Sequence, residues 1–448
     1  MQQYTPPNNQ NLQAMLSNLN IAGLKDKIIF TFAMILVFRL CAQLPLFGID
    51  ATNFANLAAT NNLIGFLDMF SGGALGNVSI IALGIGPYIT ASIIMQLLAV
   101  VIPKLEQLQK EEGEAGRRKL SQYTRVFTIV IAALQAIVFV AYLLKTARAA
   151  IMPDVSIVAF AIGSVVIMTA GSAFTMWLAE LMTERGIGNG ASMLIFCGII
   201  SKIPFYAGQT ATLVRGNASL QPMLAILLLI FFLIMVVIVI LHEAARKVII
   251  VNPRRQVGNK VYGGTNTYIP FKLNPGGVMP IIFAIAILLF PTTIIQIFSS
   301  GSFQNGPIGE FMLHLAHALN PSGFIYNAVY FILIVGLTFF YASIIPNMQP
   351  KEIANNLKKY GSSIPGIKPG KPTAEAIDRI LSKTTFIGAF ALGIIALCPA
   401  IACSLTGITT LHGIGATSLI IMVGVALDFL NQVRTNLLPK NYESFLKQ

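Results

Sequence analysis

The chain has 448 residues, of which 55% are hydrophobic and only 10% charged, with a net charge of +13 and a mean hydropathy of +0.74. Several apolar runs exceed the length a bilayer demands, which excludes an ordinary soluble domain and points to a polytopic helical membrane protein. The runs are continuous rather than alternating, so a transmembrane β-barrel is excluded too.

The first 20 residues, MQQYTPPNNQNLQAMLSNLN, are polar and lack a basic n-region, so no cleaved signal peptide is expected. Ten spans are predicted, at about 26–46, 78–102, 123–145, 155–180, 190–209, 220–241, 278–298, 323–345, 385–404 and 411–430. Within the second, Ile85, Ile89, Ser92 and Gln96 share one helical face, apolar in the middle and polar toward one end. Lipid has no use for such polar groups. They would line a wet funnel with an apolar waist, or bond a neighbouring helix. Arg39 is an intramembrane charge in the first span, and its depth favours a wet interior over snorkelling. Cys41, Cys197, Cys398 and Cys403 lie in or beside apolar runs without zinc or disulfide spacing and read as small buried residues.

The distribution of the charge decides its meaning. With the N-terminus inside, 25 of the 30 Lys and Arg residues fall in internal connections or termini, while Lys145, Arg148, Lys202 and Arg215 fall outside. That asymmetry predicts both termini on the cytoplasmic side. A nucleic-acid reading is not needed, and none is expected. Two internal connections, 242–277 and 346–384, are long. The first carries β-type stretches, VIIVNP and VYGGTNTYIPF. The second carries IPGIKPGKPT, a Pro/Gly turn presenting Lys368 and Lys371, then a short amphipathic segment from Ala374 to Lys383. Basic loops touch anionic lipid headgroups in any case. Structured length beyond that predicts docking of a large, partly acidic partner. On the other side, His314 and His317 stand three apart without a carboxylate or cysteine, which makes an interfacial helix the better reading than a metal pair. Division of the spans into 1–5 and 6–10 invites an inverted repeat.

Motifs of covalent chemistry are missing. GIKPGKP lacks the spacing of a phosphate-binding loop, His242-Glu243 is followed by Arg246 rather than a second histidine, and no GxSxG occurs. Glu180, Glu184, Glu243 and Asp428 sit at span ends, so ion coupling would lack a central carboxylate. No catalytic residue, metal or cofactor is expected.

At this point several stretches carry a family. LDMFSGGAL…SIIALGIGPYITASIIMQLL (67–98), GEAGRRKLSQYTR (113–125), MWLAELMTERGIGNGASMLIF (176–196), NLKKYGSSIPGIKPGKPT (356–373), GATSLIIMVGVALDFLNQV (415–433) and YESFLK (442–447) resemble the SecY family of protein-conducting channels, in the family's order and over nearly the whole chain. The resemblance implies an all-α polytopic membrane protein with ten transmembrane helices in two pseudo-symmetric five-helix halves. The expected organisation is a cytoplasmic segment 1–25, an N-terminal half 26–215, a C-terminal half 216–430 and a cytoplasmic tail 431–448.

It also implies an hourglass pore sealed by a ring of Ile85, Ile89, Ile195, Ile282 and Ile421, and a plug within about 61–75 that includes Leu67, Asp68, Met69, Phe70, Ser71, Gly72 and Gly73. A lateral gate would open between spans two and seven. Arg254, Arg255, Lys260, Lys368 and Lys371 would dock the SecA motor ATPase or a translating ribosome. SecE and SecG subunits, secretory and membrane-protein clients and anionic lipids complete the implied partners, in the cell's inner (plasma) membrane. The chain departs from the family at Ala191, where the ring usually has isoleucine, at Lys368, where arginine is typical, and at Asn259, where a basic residue is common. Lysine at 368 keeps the charge but loses the bidentate fork.

Two other readings compete. A secondary transporter for a small solute shares inverted halves and broken helices, but needs a polar midplane site that the Ile-rich waist does not offer. A scaffold leaves the SGG break unexplained.

Overall fold

A computed structural model of the chain describes residues 23–49, 68, 71–110, 113–146, 148, 151–152, 156–216, 220–252, 254–257, 260–263, 266–288, 323–344, 349–406 and 416–446. The helices are α1 (Leu24–Gln43), α2 (Gly86–Val101), α3 (Pro103–Lys110), α4 (Gly113–Thr146), α5 (Ile157–Arg185), α6 (Gly190–Gly216), α7 (Gln221–Glu243), α8 (Met279–Leu288), α9 (Phe324–Ile344), α10 (Pro350–Lys359), α11 (Lys371–Thr406) and α12 (Ala416–Leu446). The strands β1 (Ala245–Val251), β2 (Arg254–Val257), β3 (Lys260–Gly263) and β4 (Asn266–Lys272) lie between α7 and α8.

Each of the ten predicted spans contains a helix, and seven of the described helices are long and apolar enough to cross a bilayer. The chain is an all-α polytopic membrane protein with a β-hairpin set into one connection. It divides into two compact units, one of residues 1–207, 294–310 and 425–448, the other of 208–293 and 311–424.

In the first unit α2, α4 and α5 pack in series, with α1 against α5. Leu46, Leu75, Val78, Ala82, Val140, Leu143, Phe160 and Met168 form one apolar core. α5 begins at Ser156, whose hydroxyl accepts from Ala159 N at 3.4 Å, an N-cap of the ordinary kind. Thr31 of α1 accepts from Ile187 N at 3.1 Å and so closes the turn after α5.

The second predicted span needs correction. It was expected to be helical over 78–102, yet the helix runs only from Gly86 to Val101, and 72–85 is a succession of turns. The backbone groups of this stretch bond elsewhere: Leu46 N donates to Val78 O at 2.8 Å, Ile80 N to Leu44 O at 3.0 Å, and Thr175 Oγ1 to Gly84 O at 2.9 Å. Pro87 then opens α2 in its first turn, where a missing N–H costs nothing. Val78 has a φ of 43°, rare for a β-branched residue, and is fully buried under these bonds.

In the second unit α11 packs on α7, α9 and α10 and touches β4. β1 pairs antiparallel with β4 and β2 with β3, Ala245 opposite Lys272 and Val257 opposite Lys260. The two pairs share one register and form two two-stranded sheets within this connection. Val251 also bridges Ser363, with Val251 N donating to Ser363 O at 2.9 Å and the return bond at 3.1 Å. The two long connections therefore meet. Val248, Phe271, Ile353, Ile364, Ile377 and Leu381 form their shared core. The amphipathic segment expected at 374–383 is not separate, because it is the opening of the 36-residue α11. Pro372 stands at that helix's start, and nothing between 374 and 385 breaks it.

Candidate functional site

Of the residues expected to form a plug, Asp68, Ser71, Gly72 and Gly73 are described, while Leu67, Met69 and Phe70 lie outside the described residues. The described part is a tight knot. Gly73 N donates to Asp68 O at 2.9 Å, the Ser71 hydroxyl donates to the same carbonyl at 3.0 Å, and Leu75 N donates to the Ser71 Oγ at 3.0 Å. Gly76 N donates to Asp68 Oδ1 at 2.6 Å, so one carboxylate oxygen closes the turn. Gly72 and Gly73 have φ of 69° and 91°, the left-handed region that glycine enters without strain.

The other carboxylate oxygen faces Lys202 of α6. Lys202 Nζ lies 2.6 Å from Asp68 Oδ2, with the two side chains 22% and 10% exposed. Arg39 of α1 donates from Nη1 to Gly72 O at 2.5 Å. Sequence reasoning placed Asp68 ahead of a span, Lys202 among the outer basic residues and Arg39 at a wet interior. It did not connect the three. The partner of Arg39 is a backbone carbonyl, which leaves no trace in side-chain pattern.

Ile85, Ile89 and Ile195 belong to the first unit, and Ile282 and Ile421 to the second. All five side chains are buried. Ile85 is the N-cap residue of α2, Ile89 lies in its first turn, and Ile195 lies in the second turn of α6. α6 is capped by Asn189, whose Oδ1 accepts from Ala191 N at 3.0 Å and Ser192 N at 3.4 Å. Ala191 thus occupies a first-turn position beside its cap. The polar end of the α2 face pairs with itself, Gln96 Nε2 donating to Ser92 Oγ at 3.2 Å.

Of the expected docking lysines, Lys368 follows a tight turn and Lys371 opens α11. Pro365 and Gly366 fill the centre of a turn closed by Ile367 N on Ile364 O at 3.1 Å, with Gly366 at φ 78°, the geometry of a type II turn. Lys368 and Lys371 follow it and are exposed. The Lys368 carbonyl accepts from Thr373 Oγ1 at 2.8 Å, which ties the turn to the head of α11. Arg254 and Arg255 lie on β2 opposite Gly263 and Tyr262, and Lys260 begins β3. On β1, toward the other end of the strand pairing, Lys247 Nζ stands 4.9 Å from the Tyr268 ring centre. Among the described residues no group of three or more metal-ligating side chains occurs. His314 and His317 lie outside the described residues.

The family model described as SecY matches residues 79–430. The protein translocase subunit SecY of Synechocystis is 43% identical over 97% of this chain and 97% of its own length. Its counterpart in Synechococcus elongatus is 44% identical over 98% of each, and that of Mycobacterium tuberculosis 40% identical over 97% of this chain and all of the relative. A solved structure of a protein-conducting channel superposes with a TM-score of 0.66 at 17% identity, covering 93% of both chains. Sec61 in a canine ribosome–channel complex does so at 0.63 and 17%, again over 93% of both. At that identity the structures speak for the fold alone.

Proposed function

Since the chain belongs to the SecY family, we infer that it is the pore-forming subunit of a protein translocase, a gated channel for polypeptide that performs no covalent chemistry itself. The observation that carries this is identity above 40% to protein translocase subunits over nearly the full length of both chains. In a bilayer each unsatisfied backbone polar group costs several kcal/mol, so an unfolded chain cannot cross lipid unaided. A wet funnel removes that cost. A lateral gate then lets each segment partition by its own composition, at about −0.3 to −0.6 kcal/mol per central Leu-like residue and about +2.5 to +3.5 per charge.

Within this reading we assign the waist to Ile85, Ile89, Ile195, Ile282 and Ile421. Each is apolar and buried, and a ring of such side chains would resist ions by dewetting yet yield to a bulky chain. The plug is assigned to about 61–75, supported by the knot at 68–76 and its two cationic partners. The halves 26–215 and 216–430 and the cell's inner membrane are what membership of the family implies, and cytoplasmic termini are supported by the charge asymmetry. The hairpin and the 363–371 turn are read as one docking surface for a translating ribosome or the SecA motor, through Arg254, Arg255, Lys260, Lys368 and Lys371. SecE, and often SecG, are the companion subunits this reading implies.

Site-specific crosslinking tests the reading. The four native cysteines are replaced, one cysteine is installed at Ile89 and, as a control, one at the exposed Val100 of the same helix. A secretory polypeptide is then stalled midway. Adducts at 89 and not at 100 are expected. A proven stalled client that reaches neither position overturns the pore assignment.

A further inference from the structure

We propose that Asp68, Lys202 and Arg39 form a two-point electrostatic latch that holds segment 68–76 against α6 and α1, and that parting it is what makes the resting channel permeable. This deepens the channel reading and rests on it. One face of α6 is shaped for the purpose. Positions 198, 201, 202 and 205 follow one another at helical spacing and share that face. A Cβ built on Gly72 would lie 2.8 Å from Gly198 Cα, so the two backbones touch with no room for a side chain. Ser201 Oγ is 3.4 Å from Gly72 O and donates to Gly198 O at 2.7 Å. Lys202 supplies the ammonium to Asp68, and the Phe205 ring centre lies 5.5 Å from the same Nζ. The lysine stem passes directly over Gly73, where a Cβ would fall 2.8 Å from Lys202 Cε. Glycine at 73 is therefore what lets this lysine reach this carboxylate.

Asp68 does two jobs with its two oxygens. Oδ1 holds the segment's own loop shut through Gly76 N, and Oδ2 holds that loop to α6 through Lys202. Arg39 grips the same segment from another helix, through a carbonyl rather than a charge. Short, charge-assisted contacts at low exposure are strong while made, and leaving one partner buried without the other is costly. Such a pair has two comfortable states, together or apart in water. Residues 71–73, Ser-Gly-Gly, carry no apolar side chain, so polar and backbone contacts hold the seat at these positions, while Leu75 anchors the far end in the apolar core.

The test uses the full chain with its companion subunits, reconstituted in vesicles, and reads ion efflux without client and then with a stalled secretory polypeptide. Asp68→Asn and Lys202→Met are each expected to raise client-free efflux by about tenfold or more, the scale of one lost charge-assisted contact. The double variant should leak no more than the worse single one, because both remove one interaction. Lys202→Arg, which keeps the charge, should stay near wild type. Arg39→Gln samples the second tether independently and should leak as well, so a poorly folding Asp68 variant does not end the test. Unchanged efflux in folded Lys202→Met and Arg39→Gln overturns the latch, as does full additivity in the double variant. Failure of the channel reading is distinguishable: there, the wild-type protein passes no ions even with a client engaged.

Discussion

The knot at 68–76 and the turn at 363–371 are both irregular, both rich in glycine or proline, and held by opposite means. The first is fastened chiefly by a carboxylate, two cations and backbone contacts at Gly72 and Gly73, with Leu75 alone among its described residues reaching the apolar core. The second is fastened by an apolar core and by a two-bond bridge between Val251 and Ser363, with Ser362 Oγ donating to Asn252 Oδ1 at 2.8 Å besides. Contacts of the first kind are few, directional and exchangeable for water. Burial of the second kind is shared among many atoms and is lost only as a whole. A segment that must leave its seat suits the first arrangement, and a platform that must bear a partner suits the second.

The largest expected effect falls on the platform. Phe271 on β4 is 1% exposed and central to the core of the hairpin, α10 and α11. Phe271→Ala should cost about 3–5 kcal/mol there. Hydrogen exchange should quicken together across 245–272 and 349–371, and the protein's melting temperature should fall. Fast exchange at the hairpin alone would mean that the two connections fold separately, which breaks the comparison from that side.

A smaller effect is expected at the knot, and of another kind. Gly72→Ala must hold a side chain at φ 69° and press it against the backbone of Gly198, costing at least about 1–2 kcal/mol. The cost is borne by the seated state of the segment alone. Client-free ion efflux should therefore rise while the melting temperature stays near wild type. Melting that falls as far as in Phe271→Ala would make the knot part of the core and erase the distinction.

The same contrast explains what could be read in the sequence. The seven bilayer-length helices were legible because burial in lipid demands long apolar runs, whatever their neighbours. The hairpin was legible because VIIVNP and VYGGTNTYIPF carry strand composition, and β1 and β4 lie where those stretches fall. The start of α2 was missed although Pro87 marked it. Hydropathy runs unbroken through 78–85, and the bonds that hold this stretch out of helix come from Leu46, Leu44 and Thr175. The knot's glycines and its SGG break were visible. Its fastenings were not, because Asp68 and Lys202 are far apart in the chain and no local period joins them. The meeting of the two long connections was hidden for the same reason, since Val251 and Ser363 pair backbone to backbone.

The smallest expected effect sharpens what makes a charge pair matter. Arg125 of α4 and Glu180 of α5 approach to 2.8 Å, much as Lys202 and Asp68 do, but Arg125 is 45% exposed. The helices it joins already pack along their length. Removing it by Arg125→Gln should cost only about 0.2–1 kcal/mol, the range of exposed pairs. It should leave client-free efflux unchanged, measured in the same vesicles as the latch variants. Raised efflux in this variant would mean that any lost ion pair loosens the channel. Silence here beside a leak in Lys202→Met would tie the effect to the segment that the pair holds rather than to the loss of an ion pair as such.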